Sequence, residues 1–185
     1  MKIIPPHLWI TSRVIANENR LRLLREIFIS PRRSVGDLSE CVELTLGSTS
    51  NQLKLLCGEG FITLHRFKKK VCYNDVIPYA PPHIKKIQIS LKNELKPDTT
   101  LSFICKEATG TTHQRRIEII NRLNQAPRSL EQLLDETIMS YSALSRHLRK
   151  LHARNYISFS EGQYRIGTPS GALAKTLLTI IIDNT

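Results

Sequence analysis

The densest run of reactive side chains is SYSALSRHLRKLHARNYI, residues 140–157, which sets Ser142, Ser145, His147 and His152 among Arg146, Arg149, Lys150 and Arg154. Serine beside histidine is the raw material of nucleophilic catalysis, in which an imidazole takes the hydroxyl proton as the oxygen attacks. No Gly-x-Ser-x-Gly elbow and no His/Asp set accompanies these serines, or Ser48 and Ser50 in TLGSTSNQLKLL. Phosphate-binding glycine loops, dinucleotide fingerprints and paired-carboxylate sites are also missing from the sequence. The stretch therefore reads as a contact surface for a polyanion, in a chain that is no enzyme and needs no cofactor.

Cys41, Cys57, Cys72 and Cys105 lie 16, 15 and 33 residues apart, without a CxxC or a paired Cys/His spacing. Reduced, mostly buried thiols are the expectation, with no metal site; a redox or metal sensor is the lesser alternative. Charge supports the polyanion: 27 Lys and Arg against 16 Asp and Glu leave +11 over 185 residues. Such an excess fits nucleic acid or an anionic membrane surface. The start, MKIIPPHLWI, is broken by two prolines and is no convincing signal peptide. TLLTIIID falls far short of the roughly 20 apolar residues of a membrane span. A soluble, cytoplasmic, nucleoid-associated protein with no membrane partner is the expectation.

The elements that must position these residues emerge from an internal repeat. Shifted by 96 residues, Arg20 falls on Arg116, Leu21 on Ile117, Leu24 on Ile120, Ile27 on Leu123 and Pro31 on Pro127. After a one-residue gap Ser34 falls on Ser129, Leu38 on Leu133, Ser50 on Ser145, Leu53 on Leu148, Leu56 on Leu151 and Ile62 on Ile157. Each copy begins with a helix of period near 3.6, stopped by its proline. Ser34 or Ser129 then N-caps a short helix, with Asp37 or Gln132 three residues on as an imperfect capping box. Thr45 or Ser140 caps a third helix, whose buried ladder is Thr49, Leu53 and Leu56 in one copy and Leu144, Leu148 and Leu151 in the other. Gly58 and Gly60, or Asn155, end it, and a β-hairpin follows in FITLHRFKKKVCYNDV and YISFSEGQYRIG.

Three helices and a hairpin define a winged helix-turn-helix, so the fold class expected is mainly α with small β-hairpins (α+β), as two tandem winged helix-turn-helix domains. The boundaries are 1–78 for the first winged-helix domain, 79–112 for a helical connector, 113–168 for the second, and 169–185 for a C-terminal packing or dimerisation helix. In the connector Ile84, Ile87, Leu91 and Leu95 make a helical stripe, and a second helix is expected in DTTLSFICKEAT with Asp98 as its cap. In the tail Leu173, Leu177 and Ile180/Ile181 make another stripe. These stripes either pack between the two winged helices or form a homodimer interface.

LSECVELTLGSTSNQLKLLCGEGFI and GTTHQRRIEIINRL…SYSALSRHLRKLHARNYI both resemble the ArsR-type winged-helix transcriptional regulators, with Ser-x-x-Leu-x-x-Leu in the recognition helix after an Arg-rich first helix. SALSRHLRKL is the specific match and STSNQLKLL the weaker one. The resemblance implies binding of double-stranded DNA. It does not imply metal sensing, because the family's paired cysteines and His/Asp sets are missing. Two copies in one chain also depart from the family's usual single domain, so one chain could already act as a pseudo-dimer.

The faces opposite the ladders supply the candidate DNA contacts. In the second copy they are Tyr141, Ser142, Ser145, Arg146, His147 and Arg149, with Arg146 placed for a guanine. In the first they are Ser48, Asn51, Gln52 and Lys54, with Asn51 or Gln52 placed for an adenine. The first hairpin adds Arg66, Lys68, Lys69 and Lys70 as a basic wing for phosphate or the minor groove, so the first copy leans on its wing and the second on its helix. A solvated surface is the alternative for Arg146 and for the lysine run. At the level of the whole chain, the alternatives are a protein-interaction scaffold and a non-specific or RNA-directed nucleic-acid binder.

Overall fold

The computed structural model describes residues 7–67, 70–75 and 79–183. In chain order the elements are α1 (Leu8–Ile15), α2 (Glu18–Ile29), β1 (Arg33–Ser34), α3 (Val35–Cys41), α4 (Leu46–Gly58), β2 (Thr63–Phe67), β3 (Lys70–Asn74), α5 (Pro82–Glu94), α6 (Leu101–Ala108), α7 (Gln114–Gln125), α8 (Leu130–Thr137), α9 (Tyr141–His152), β4 (Ile157–Ser160), β5 (Gln163–Ile166) and α10 (Ala172–Asp183). The protein is mainly helical with small antiparallel sheets. Its packing separates two units: residues 14–102, and the residues up to 13 together with 103 onward, called here the C-terminal unit.

In the 14–102 unit, the Asn17 side chain accepts a hydrogen bond from the Arg20 N–H at 3.1 Å and starts α2, which ends two residues before Pro31. Proline cannot donate to the helical ladder, so the chain leaves the helix there. Ser34 and Asp37 form a complete capping box on α3: Ser34 Oγ accepts from the Asp37 N–H at 3.2 Å, and Asp37 Oδ2 from the Ser34 N–H at 2.9 Å. Those bonds stabilise the carboxylate and hold Asp37 below the usual pKa. Thr45 caps α4 through the Ser48 N–H, and Thr49, Leu53 and Leu56 are its buried residues. Gly60 takes a positive φ of 77° just beyond the helix, a backbone state that only glycine enters at no steric cost. The sheet has the order β1-β3-β2, antiparallel, with Leu64 and Arg33 both opposite Tyr73. Helix α5 buries Ile84, Ile87 and Leu91, and its Gln88 Nε2 donates to Phe61 O at 3.0 Å and Asp75 O at 2.7 Å.

In the C-terminal unit, α7 buries Arg116, Ile117, Ile119, Ile120 and Leu123 and ends two residues before Pro127. Ser129 and Gln132 close a second complete capping box on α8, at 3.2 and 2.8 Å. Ser140 caps α9 through the Ala143 N–H at 3.3 Å. Strands β4 and β5 pair antiparallel with Phe159 opposite Tyr164, and Arg128 bridges to Tyr164. Gly110 is required by a close approach: a Cβ there would lie 2.3 Å from the fully buried ring of Tyr156. Helix α10 contacts α7, and Leu173, Leu177, Ile180 and Ile181 are among its buried residues. The buried Glu107 carboxylate accepts from the Gly171 N–H at 2.8 Å, placing a negative group where the α10 amides are unsatisfied.

The turns into α4 and α9 each hold a non-glycine residue at positive φ, Glu43 at 54° and Ile138 at 50°. Ile138 is 88% exposed. Two expectations change. Helix α6 starts at Leu101, three residues past Asp98, because the chain first turns through a Thr99 N–H to Lys96 O bond. The four free thiols are not buried: Cys41 is exposed and the other three are half-exposed. All four cysteines lie off the ladders of α2, α4, α7 and α9, where the cores are packed.

Candidate nucleic-acid interface

Helix α9 has two distinct faces. Leu144, Leu148 and Leu151 are buried with relative exposures of 2% or less, which fixes the rotation of the helix about its axis. Tyr141, Ser142, Arg146 and Arg149 then project outward, with Ser145 half-buried at the edge. Tyr141 is 63% exposed. No ion pair engages Arg146 or Arg149 among the described residues, so both guanidinium groups are open to a partner. Beside them Phe159 and Tyr164 pair across the strands with centroids 4.6 Å apart and wall a groove of about 320 Å³ that Tyr141 and Arg149 also line. The turn of this hairpin carries Glu161, paired with Arg165 at 3.1 Å, so it adds no net positive charge.

His147 does not belong to that outward face. It is 8% exposed, packed with its ring 4.7 Å from His113. Its Nδ1 lies 3.4 Å from Arg116 Nη1. Burial pushes its pKa down to about 4, and His113, Arg116, Arg146 and Arg115 add to the shift. The imidazole is neutral at physiological pH and cannot serve as a cationic phosphate contact. His113, which caps α7 by accepting from the Arg115 N–H at 3.1 Å, is lowered too, by burial first and then by the neighbouring arginines.

Arg116 is 5% exposed and, among the described residues, donates to neutral acceptors: Gly110 O at 2.8 Å, Thr109 O at 3.0 Å, Thr112 Oγ1 at 2.8 Å and His147. Burial lowers it to about 10, which leaves it charged at neutral pH.

On α4 the outward residues are Asn51 and Lys54, with Ser48 half-buried. Gln52 is half-buried, and its Oε1 accepts from Arg20 Nη1 at 2.7 Å. Leu46 and Leu55, 59% and 48% exposed, share the helix surface, so this face is less polar than that of α9. On the hairpin Arg66 and Lys70 are exposed, at the register Arg66↔Val71 and Phe67↔Lys70. Lys68 and Lys69 lie outside the described residues.

The sequence reasoning missed Arg20 and Arg116 as structural groups. Their alignment with each other, one residue before the buried Leu21 and Ile117, was the available signal. Among the described residues no group of three His, Cys, Asp or Glu side chains could hold a metal, and no helix is long and apolar enough to cross a membrane.

Residues 113–158 match the family model described as bacterial regulatory protein, arsR family. The match runs from the N-cap of α7 to the second residue of β4. It places in this chain a helix-turn-helix of the kind carried by DNA-binding transcription regulators. No curated protein and no solved structure matches the chain.

Proposed function

We propose that the protein is a regulator that reads double-stranded DNA, with α9 in the major groove and the 14–102 unit as a second winged helix of the same design. The observation that carries this reading is the exposed row Tyr141, Ser142, Arg146 and Arg149 on a helix locked by its leucine ladder, inside the segment that matches the family. Arg146 and Arg149 suit guanine O6 and N7 or phosphate, and Ser142 the groove edge. Asn51 and Lys54 on α4 are the weaker set, and Arg66 and Lys70 on the hairpin supply phosphate contacts, to which the sequence adds Lys68 and Lys69. Residues 18–74 and 114–166 each run three helices and then a hairpin, with β1 in the first where the second has only the Arg128–Tyr164 bridge, and on this reading one chain presents two reading helices as a pseudo-dimer would.

The test is selection of preferred duplexes from a random pool, followed by titration of wild type and Arg146→Ala/Arg149→Ala on the selected and scrambled duplexes. Wild type should prefer the selected duplex by at least about 10³-fold at physiological salt. The double variant should lose that preference. Arg66→Ala and Lys70→Ala should each weaken all duplexes alike and reduce the salt slope by about 1. Equal affinity of wild type for every duplex would defeat the reading.

A second reading is favoured by one observation, the exposed Leu46 and Leu55 on α4. On that reading α4 contacts a protein, and only the C-terminal unit reads DNA.

A further inference from the structure

We propose that Arg116 and His147 are a positioning pair that sets the seat of α9 on α7, and that Arg20 and Gln52 serve α4 in the same way. The inference rests on reading α9 as the DNA-reading helix. It goes beyond that reading by assigning a role to four side chains, Arg116 and His147 buried and Arg20 and Gln52 half-buried.

The same geometry occurs twice. Arg20 Nε donates to Val14 O, six residues back, and Nη1 to Gln52 Oε1 on α4. Arg116 Nε donates to Gly110 O, also six residues back, and Nη1 meets His147 Nδ1 on α9. Each guanidinium therefore ties together the segment before the first helix, the first helix itself and the third helix. The planar fork with donors in fixed directions can do this, whereas a lysine ammonium, a single point charge, cannot.

Energy alone is a poor reason for the arrangement. A buried guanidinium with neutral acceptors carries a desolvation cost that an apolar side chain of similar size would avoid. The repetition of the arginine with different partners, Val14 O and Gln52 in one unit and Gly110 O and His147 in the other, argues for orientation as what it contributes. His147 lies directly between Arg146, on the outward face, and Leu148, on the ladder. A shift of the helix at His147 is transmitted to Arg146 and Arg149, and base contacts tolerate displacements of only about 0.5 Å.

The two ties differ in chemistry. A glutamine amide oxygen accepts at every pH, while Nδ1 of His147 accepts only when the ring is neutral with its proton on Nε2. The groups acting on His147 are His113 and Arg115 and Arg116 from the start of α7, and Arg146 from α9 itself. No carboxylate from α8 or β4, the other elements packed on α9, is among them. Nothing there favours the protonated ring, so the tie holds across the physiological range and is lost in acid.

The experiment compares wild type, His147→Gln and His147→Leu on the duplex selected by wild type and on a scrambled one. Nitrogen-15 spectra of the wild-type imidazoles are followed between pH 7 and 5. His147→Gln, which copies the partner used on α4, should keep selected-duplex affinity within threefold. His147→Leu should lose tenfold or more on the selected duplex and less than twofold on the scrambled one. His147 should remain a neutral Nε2–H tautomer down to pH 5. Thermal melting checks that each variant is folded at the assay temperature. If the leucine variant is not, His147→Met carries the same expectation. Full retention of preference by the leucine or methionine variant, or a His147 ring that is protonated at pH 6 or carries its proton on Nδ1, would overturn the pair. Wild type without any preferred duplex overturns the reading of α9, and the role of the pair with it.

Discussion

Helices α9 and α4 have nearly the same inside and different outsides. Each buries a three-residue ladder at spacing 4 and 3, each is capped by a hydroxyl, and each is entered from a residue at positive φ. On the outside α9 presents two arginines and Tyr141, while α4 presents Asn51, Lys54 and two leucines. Packing therefore constrains one face of such a helix closely and leaves the other free to diverge with its partner.

The largest effects should be common to both helices. Leu148→Ala and Leu53→Ala each remove a fully packed side chain and should cost about 2–5 kcal/mol, read from urea unfolding. A marked inequality would mean that the two cores are not built alike. Next in size, and on one side only, Arg146→Ala/Arg149→Ala should lower affinity for the selected duplex by about 100-fold, from two lost base or phosphate contacts. Asn51→Ala/Lys54→Ala should cost about tenfold or less in the same titration. A reversed order would make α4 the reader.

Acid should separate the units further. His147 has a folded pKa of about 4 against an unfolded value of about 6.5. The unfolded chain therefore binds the proton more readily. The stability linked to this ring is fully present above about pH 6.5 and is lost as pH falls through about 4. The urea midpoint of wild type should drop over that window, and His147→Gln should flatten part of the drop. The smallest effects return to what the units share: Ser34→Ala and Ser129→Ala each break a capping box and should cost about 1 kcal/mol.

Much of this architecture was legible in the chain. Periodicity located α2, α4, α7 and α9 and their buried ladders, the prolines marked the ends of α2 and α7, and the serines marked the caps, because these are local effects that depend on a few neighbouring residues. The outward row of α9 was legible for the same reason, since a ladder on one face determines the opposite face. His147 and Gln52 were not. Both lie at the boundary between faces, where spacing leaves either assignment open, and their partners Arg116 and Arg20 lie 31 and 32 residues away.

The sequence by itself determined the three helices and hairpin of each copy, where α2 and α7 stop, and that a basic row stands on α9; it did not give α1 or the start of α6. Only the tertiary structure decided that α10 lies on α7, that Glu107 caps it, and that Arg20 reaches Gln52 in one unit and Arg116 reaches His147 in the other. Those contacts join residues far apart in the chain, and whether a polar side chain faces water or a buried partner depends on what the fold brings beside it.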